Sequence, residues 1–163
     1  MKEICNRIEN NEVYPIKIIY KGKNYLILYY YTKDGDCFFR GKNNGILSFL
    51  QVENMQKFCK EKGLKIGDEI VEYDFDAPII NPIDYKKVLD GWNLLNTISQ
   101  MFKMFFEGDL KKYNTLYDFL FRLNTSVETI PPTCFIDNKN YKYILKVFKK
   151  KSRFLNKFEI YVD

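Results

Sequence analysis

Between residues 68 and 76 the chain reads Asp-Glu-Ile-Val-Glu-Tyr-Asp-Phe-Asp. Glu72, Asp74 and Asp76 recur at every second residue. An extended strand therefore aims all three carboxylates to one side, with Glu69 at the strand's start. A hard cation can take such oxygens as ligands. A basic protein partner can also be steered and held in register by a negative strip. The third reading is a plain solvated strand face. A magnesium site would need ligands from other chain segments, and no second acidic cluster accompanies this one. No metal ligand and no cofactor are therefore assigned, and docking is the more specific expectation.

Other chemistries fall away on residue types. The chain contains no histidine, which removes Ser-His-Asp and Cys-His nucleophile systems and the commonest general base. Neither G-x-x-x-x-G-K-[ST] nor G-x-G-x-x-G occurs, so no phosphate-cradling loop is expected. No catalytic residue is assigned, and the chain is not expected to be an enzyme or to have a small-molecule substrate. The four cysteines, Cys5, Cys37, Cys59 and Cys134, are scattered without a C-x-x-C pair. They read as buried free thiols in a reducing compartment.

Residues 138–163 hold eight basic side chains against two acidic ones, whereas the rest of the chain holds 18 against 19. The net charge of +5 thus comes from the C-terminus. Lys139, Lys142, Lys146, Lys149 and Lys150 fall near one side of a helix, and Tyr141 and Tyr143 offer rings for base stacking. A nucleic-acid-associated regulator is therefore the alternative function. It ranks second, because a basic surface helix with a buried face is common in proteins that touch no nucleic acid.

The elements that position these residues follow from periodicity. Runs at 15–20 and 25–31 around Lys21-Gly22-Lys23-Asn24 predict a hairpin. Short strands at 37–40 and 46–50 continue it as an antiparallel meander. Val52–Lys62 has helical spacing and Gly63 as its stop, and 69–75 returns to alternation. A long helix is predicted over 83–106, ended by Gly108, with Trp92 on its buried stripe. Asn114 is expected to cap a helix through Leu123. A basic helix from Asn138 towards Lys157 and a last strand at 158–162 complete the order. The pattern is α+β: one domain, 1–163, with a mostly N-terminal antiparallel sheet covered by C-terminal helices. No segment is apolar enough to span a membrane, and the first residues lack a signal-peptide run, so a cytoplasmic location and no membrane partner are expected.

Several of these segments carry a family likeness. They are Tyr73-Asp74-Phe75-Asp76, Asp90-Gly91-Trp92-Asn93-Leu94-Leu95, Leu116-Tyr117-Asp118-Phe119-Leu120-Phe121 with Asn124, and Pro131-Pro132 before the last helix. Over roughly residues 45–150 the chain resembles bacterial immunity proteins of contact-dependent growth inhibition and related polymorphic-toxin systems. The resemblance implies a non-enzymatic antitoxin that binds a cognate toxin domain and blocks its active site. The expected toxin-binding residues are Glu69, Glu72, Asp74 and Asp76, with Tyr85 as an amphipathic anchor just beyond the strand. Trp92, Tyr117 and Phe121 are read as scaffold.

Overall fold

The computed structural model describes residues 8–162, which form two compact units, 8–76 with 155–162, and 77–154. The first is built on the hairpin of β1 (Glu12–Tyr20) and β2 (Lys23–Thr32). β-Branched and aromatic residues fill both strands, which suits a pleated, half-buried surface. Lys21 and Gly22 take φ values of 52° and 68°, and Tyr20 pairs with Lys23. Two successive positive φ values make a two-residue type I′ turn, whose twist matches that of the strands.

β2 pairs antiparallel with both β3 (Gly35–Phe38) and β4 (Ile46–Phe49). These two run in the same direction along β2, one after the other, so the expected meander does not form. The reason is the closed loop between them. Gly41 N donates to Gly45 O at 2.9 Å and Leu47 N to Phe39 O at 2.8 Å, returning the chain to the line it had left. The sheet is also mixed. β5 (Lys65–Ile66) and β6 (Val71–Asp74) lie end to end beside β1, both parallel to it, and β9 (Phe158–Ile160) is parallel to β4.

One face of this sheet presents Val13, Leu26, Leu28, Tyr30, Phe39, Leu47 and Phe49 to helix α1 (Val52–Lys62), which contributes Met55, Phe58 and Cys59. The three helix residues fall at i, i+3 and i+4 and so share a stripe. Each large apolar side chain in such a core contributes roughly 1.5–3 kcal/mol through burial. Gly63 stops the helix in the left-handed region at φ 66°. There Leu64 N donates to Cys59 O and Gly63 N to Lys60 O, the two bonds of a Schellman cap.

Two carboxylates stitch distant segments of this unit together. Asp76 accepts from Lys21 N at 2.7 Å and Gly22 N at 2.8 Å, clamping the hairpin turn. Glu159 of β9 accepts from Asn43 N at 3.1 and 3.0 Å and from Gly45 N at 3.2 Å, seated inside the 41–45 loop. Bonds from N–H groups to an ionised acceptor are the stronger kind. Asp76→Ala should therefore lower stability by about 1–2 kcal/mol, with Asp76→Asn intermediate because its carbonyl oxygen still accepts. Urea unfolding measures this, and an Asp76→Ala protein with an unchanged midpoint would refute the clamp.

In the second unit, β7 (Ile83–Asp84) leads into helix α2 (Tyr85–Met101), and Asp84 caps it by accepting from Lys87 N at 3.0 Å. The helix ends before Phe102, short of the predicted Phe106. Lys103 takes φ 52° and Phe106 turns inward, 1% exposed, to meet Trp92 edge-on at 6.4 Å. Gly108 accordingly lies beyond the helix, in a 3₁₀ turn against Trp92 and Phe106, and does not end it. Asn114 is the first residue of α3 (Asn114–Thr125) and not its cap; that position falls to Tyr113, whose side chain makes no cap bond. β8 (Thr133–Cys134) pairs with β7. Asp137 caps α4 (Asn138–Lys149) through Asn140 N at 2.8 Å. The expected single basic helix is broken at Lys150, and a short α5 (Ser152–Leu155) follows. The content of strands first and helices second makes the fold α+β.

Candidate protein-binding surface

β6 carries the acidic alternation. Its register sets Glu72 beside Lys17 and Asp74 beside Ile19, with Val71 and Tyr73 on the opposite face beside Ile16 and Ile18. Glu69 is exposed ahead of the strand. Glu72 pairs with Lys17 Nζ at 2.7 Å, both side chains part-exposed. Asp74 accepts from Asp76 N at 2.8 Å, an Asx turn that ends the strand. Asp76 lies past that turn, and its carboxylate is committed to the hairpin clamp. The four residues therefore do not form one uniform strip. Glu69 projects its charge outward, Glu72 shares its charge with Lys17, and Asp74 and Asp76 hold backbone. Among the described residues no group of three or more cysteine, aspartate and glutamate side chains is placed to hold a metal ion.

The surface role expected for Tyr85 is corrected. Tyr85 is buried at 9% exposure in the second unit. It opens the stripe Tyr85, Val88, Leu89, Trp92, whose i, i+3, i+4, i+7 spacing faces inward from the helix's first residue. Trp92 and Tyr117 are scaffold as expected, with rings 5.7 Å apart and Tyr117 Oη donating to Asn93 Oδ1 at 2.8 Å, whereas Phe121, also read as scaffold, is 49% exposed.

The exposed tyrosines lie elsewhere, on β1 and β2. Tyr14 stands opposite Tyr29 across the hairpin, and Tyr31 opposite Asp36 of β3. Tyr14 and Tyr31 rings meet edge-on at 5.6 Å, Tyr29 and Tyr31 at 5.1 Å. Tyr14 Oη donates to Glu12 Oε2 at 3.2 Å, and that bond is the main cause raising the Tyr14 phenol above its ordinary value. Burial, then the hydrogen bond to Asp36, pushes Tyr29 well above the usual phenol range. Gly67 packs on the Tyr14 ring, where an added Cβ would sit 3.0 Å from Cδ1. Ile70 and Val71, each 41% exposed, follow in the same segment. Sequence reading did not single out these tyrosines. The signal was the alternation Tyr29-Tyr30-Tyr31, which puts Tyr30 in the core and its neighbours on the other face.

The basic C-terminal helix is arranged differently from the nucleic-acid expectation. Lys139, Lys142, Lys146 and Lys149 are exposed. Tyr141 Oη, however, donates to Ile79 O at 2.7 Å, and Tyr143 meets Tyr113 edge-on at 4.9 Å with Lys139 Nζ 5.7 Å from its ring centre. Tyr113 is wholly buried and donates to Glu107 Oε1 at 2.7 Å. Burial raises the Tyr113 phenol and the same bond lowers Glu107, so this pair holds one fixed donor–acceptor arrangement.

Of the cysteines, Cys59 is buried and its thiol is pushed up to about 11 by burial. Cys37 and Cys134 are partly buried, not fully as expected, because each sits on a short strand at a unit's edge. Burial raises both thiols as well. Cys5 lies outside the described residues. No described helix is long and apolar enough to cross a membrane.

Comparison with known proteins yields a fold and no function. No family model matches the chain, and no curated protein matches it. The chain is similar to the crystal structure of the SatS C-terminal domain in complex with bromine, at a TM-score of 0.56 and 14% identity, covering 94% of this chain and 96% of that one. At that identity the likeness extends to the fold alone.

Proposed function

We propose that the protein is an immunity protein: a non-enzymatic inhibitor that acts in the cytoplasm, binds a cognate secreted toxin domain and blocks its active site. The observation that supports this reading is the acidic rim of the first unit, with Glu69 and Glu72 exposed at and just before β6 in a chain whose net charge is +5. A toxin that acts on nucleic acid or nucleotides carries a positive cleft. A negative strip facing it speeds encounter and competes with the anionic substrate. Glu69 carries the attraction together with Glu72, which would exchange Lys17 for a partner cation, and Asp74 and Asp76 hold the strand end that presents them.

The test expresses the toxin domain encoded by a neighbouring gene in cells that also make the wild-type protein or Glu69→Lys/Glu72→Lys. Neither substitution removes a backbone bond, and the Lys17–Glu72 ion pair that the second one breaks is part-exposed and worth under about 1 kcal/mol, so the variant stays folded, as circular dichroism checks. Protection should fall, with association slowed roughly tenfold at low salt and less at high salt, since exposed charges are screened. A folded double variant that associates and protects as the wild type does would discard this strip. Failure of every neighbouring toxin domain to bind the wild type would discard the immunity reading.

A nucleic-acid-associated regulator remains the alternative. The rings that would stack on bases, Tyr141 and Tyr143, are engaged within the second unit, so no specific observation favours it.

A further inference from the structure

We infer that the tyrosine patch of the first unit, Tyr14, Tyr29 and Tyr31 bordered by Ile70 and Val71, seats arginine side chains of a basic protein partner. The patch combines features that are separately ordinary. Tyr14 is 38% and Tyr31 45% exposed, and among the described residues no other tyrosine is as open. Exposed apolar surface gathered at one place marks contact sites more than scattered residues do. The rings are fixed against one another edge-on, so they lose little freedom on binding. Val71 lies beside Ile16, on the face that also carries Tyr14, which extends the patch across β1 to its edge neighbour.

The rim selects the partner. Glu12 accepts from Tyr14, and Asp36 stands opposite Tyr31 across the β2–β3 pairing. Asp34 lies in the β2–β3 turn, and Asp68 and Glu69 follow Gly67, which touches the Tyr14 ring. Against these five carboxylates the same segments carry Lys33 and Lys65. A ring face bordered by carboxylates favours a cation and opposes phosphate, so a protein fits this surface and a nucleic acid does not. Arginine suits it better than lysine. Its planar guanidinium stacks on a tyrosine face while its remaining donors fork to a carboxylate. The inference deepens the immunity reading and rests on it for the partner's identity as a toxin domain. The chemistry of the patch stands without it.

The test titrates the full chain, labelled in its tyrosine rings, with the peptide acetyl-Arg-Gly-Arg-Gly-Arg-amide at physiological salt, followed by NMR. Ring signals of Tyr14 and Tyr31 should move and saturate. The lysine counterpart should bind several-fold more weakly. Tyr31→Ala should weaken the arginine peptide about tenfold and Tyr31→Phe should not. Should Tyr31→Ala lower the melting temperature, Asp34→Lys/Glu69→Lys is the second variant, and it should weaken binding by a similar factor. Shifts confined to other residues, unchanged affinity in either variant, or binding of oligothymidylate to the same rings would overturn the proposal. Peptide binding at the patch without any toxin partner would leave the inference standing and remove the immunity reading. Full toxin binding and protection by Tyr31→Ala would do the reverse.

Discussion

Gly45→Ala is expected to destabilise the protein by about 2–3 kcal/mol, an overpacking cost at a site with no room to relax. A Cβ at Gly45 would lie 2.8 Å from Lys157 O and 2.8 Å from Glu159 Cβ. Lys157 O cannot swing away, because it accepts from Ile46 N at 2.7 Å. The added methyl must therefore part β9 from β4 or displace the loop. Gly41→Ala strikes the Glu159 carboxylate, the far end of a side chain, and should cost less. Glu159→Ala leaves Asn43 N and Gly45 N to water at the surface, at about 1 kcal/mol. The expected order in urea midpoints is Gly45→Ala lowest, then Gly41→Ala and Glu159→Ala. A Gly45→Ala protein as stable as wild type would contradict the close approach of β9 to the 41–45 loop.

Trp92→Ala should have the largest effect of any single substitution in the second unit, about 3–5 kcal/mol. Trp92 is 2% exposed and meets the rings of Phe106, Tyr113 and Tyr117 at 6.4, 6.3 and 5.7 Å. Removing the indole leaves a cavity between a helix, a 3₁₀ turn and a second helix, none of which can close on it without breaking its own bonds. Gly108 makes the complementary point, since a Cβ there would sit 2.5 Å from Trp92 Nε1. Gly108→Ala should thus be destabilising by crowding where Trp92→Ala is destabilising by emptiness. Circular dichroism at 222 nm is the readout, because the chain has a single tryptophan and Trp92→Ala removes the fluorophore. A cost below about 1 kcal/mol for Trp92→Ala would contradict the packing described.

How much of this was legible in the sequence depended on how local its cause was. Helix α1 was read to its observed ends, Val52 and Lys62, because both its stripe and its Gly63 stop are local. The Lys21-Gly22 turn was legible for the same reason. The parallel pairing of β6 and β9 was not, since strand direction depends on where distant chain returns. The end of α2 was misplaced because the apolar spacing runs on through Phe105 and Phe106, while the backbone turns at Lys103 to bring Phe106 back under Trp92. The candidate site was legible in part. Alternation put Glu72 and Asp74 on one face, and β6 does so. Alternation could not tell that Asp76 reaches the hairpin turn, a bond spanning 55 residues. Tyr85 was misread because proximity to the acidic strand in sequence was taken for a surface position, whereas helical spacing already placed it on the stripe of Val88 and Trp92.

The seat of Glu159 in the 41–45 loop also orders events during synthesis. β4 is complete at Phe49, yet its parallel neighbour begins at Phe158, and the intervening chain includes the whole of the second unit. While a ribosome is still making residues 77–154, the hairpin and α1 can assemble from neighbouring chain, but the loop's N–H groups at Asn43 and Gly45 have no carboxylate to bind and β4 has no outer strand. Contacts of such sequence separation form late, and an uncovered strand edge is the part of a nascent sheet most open to wrong pairing. The last strand is thus a closing latch: a chain arrested before residue 158 can hold the first unit's core yet must leave that edge open.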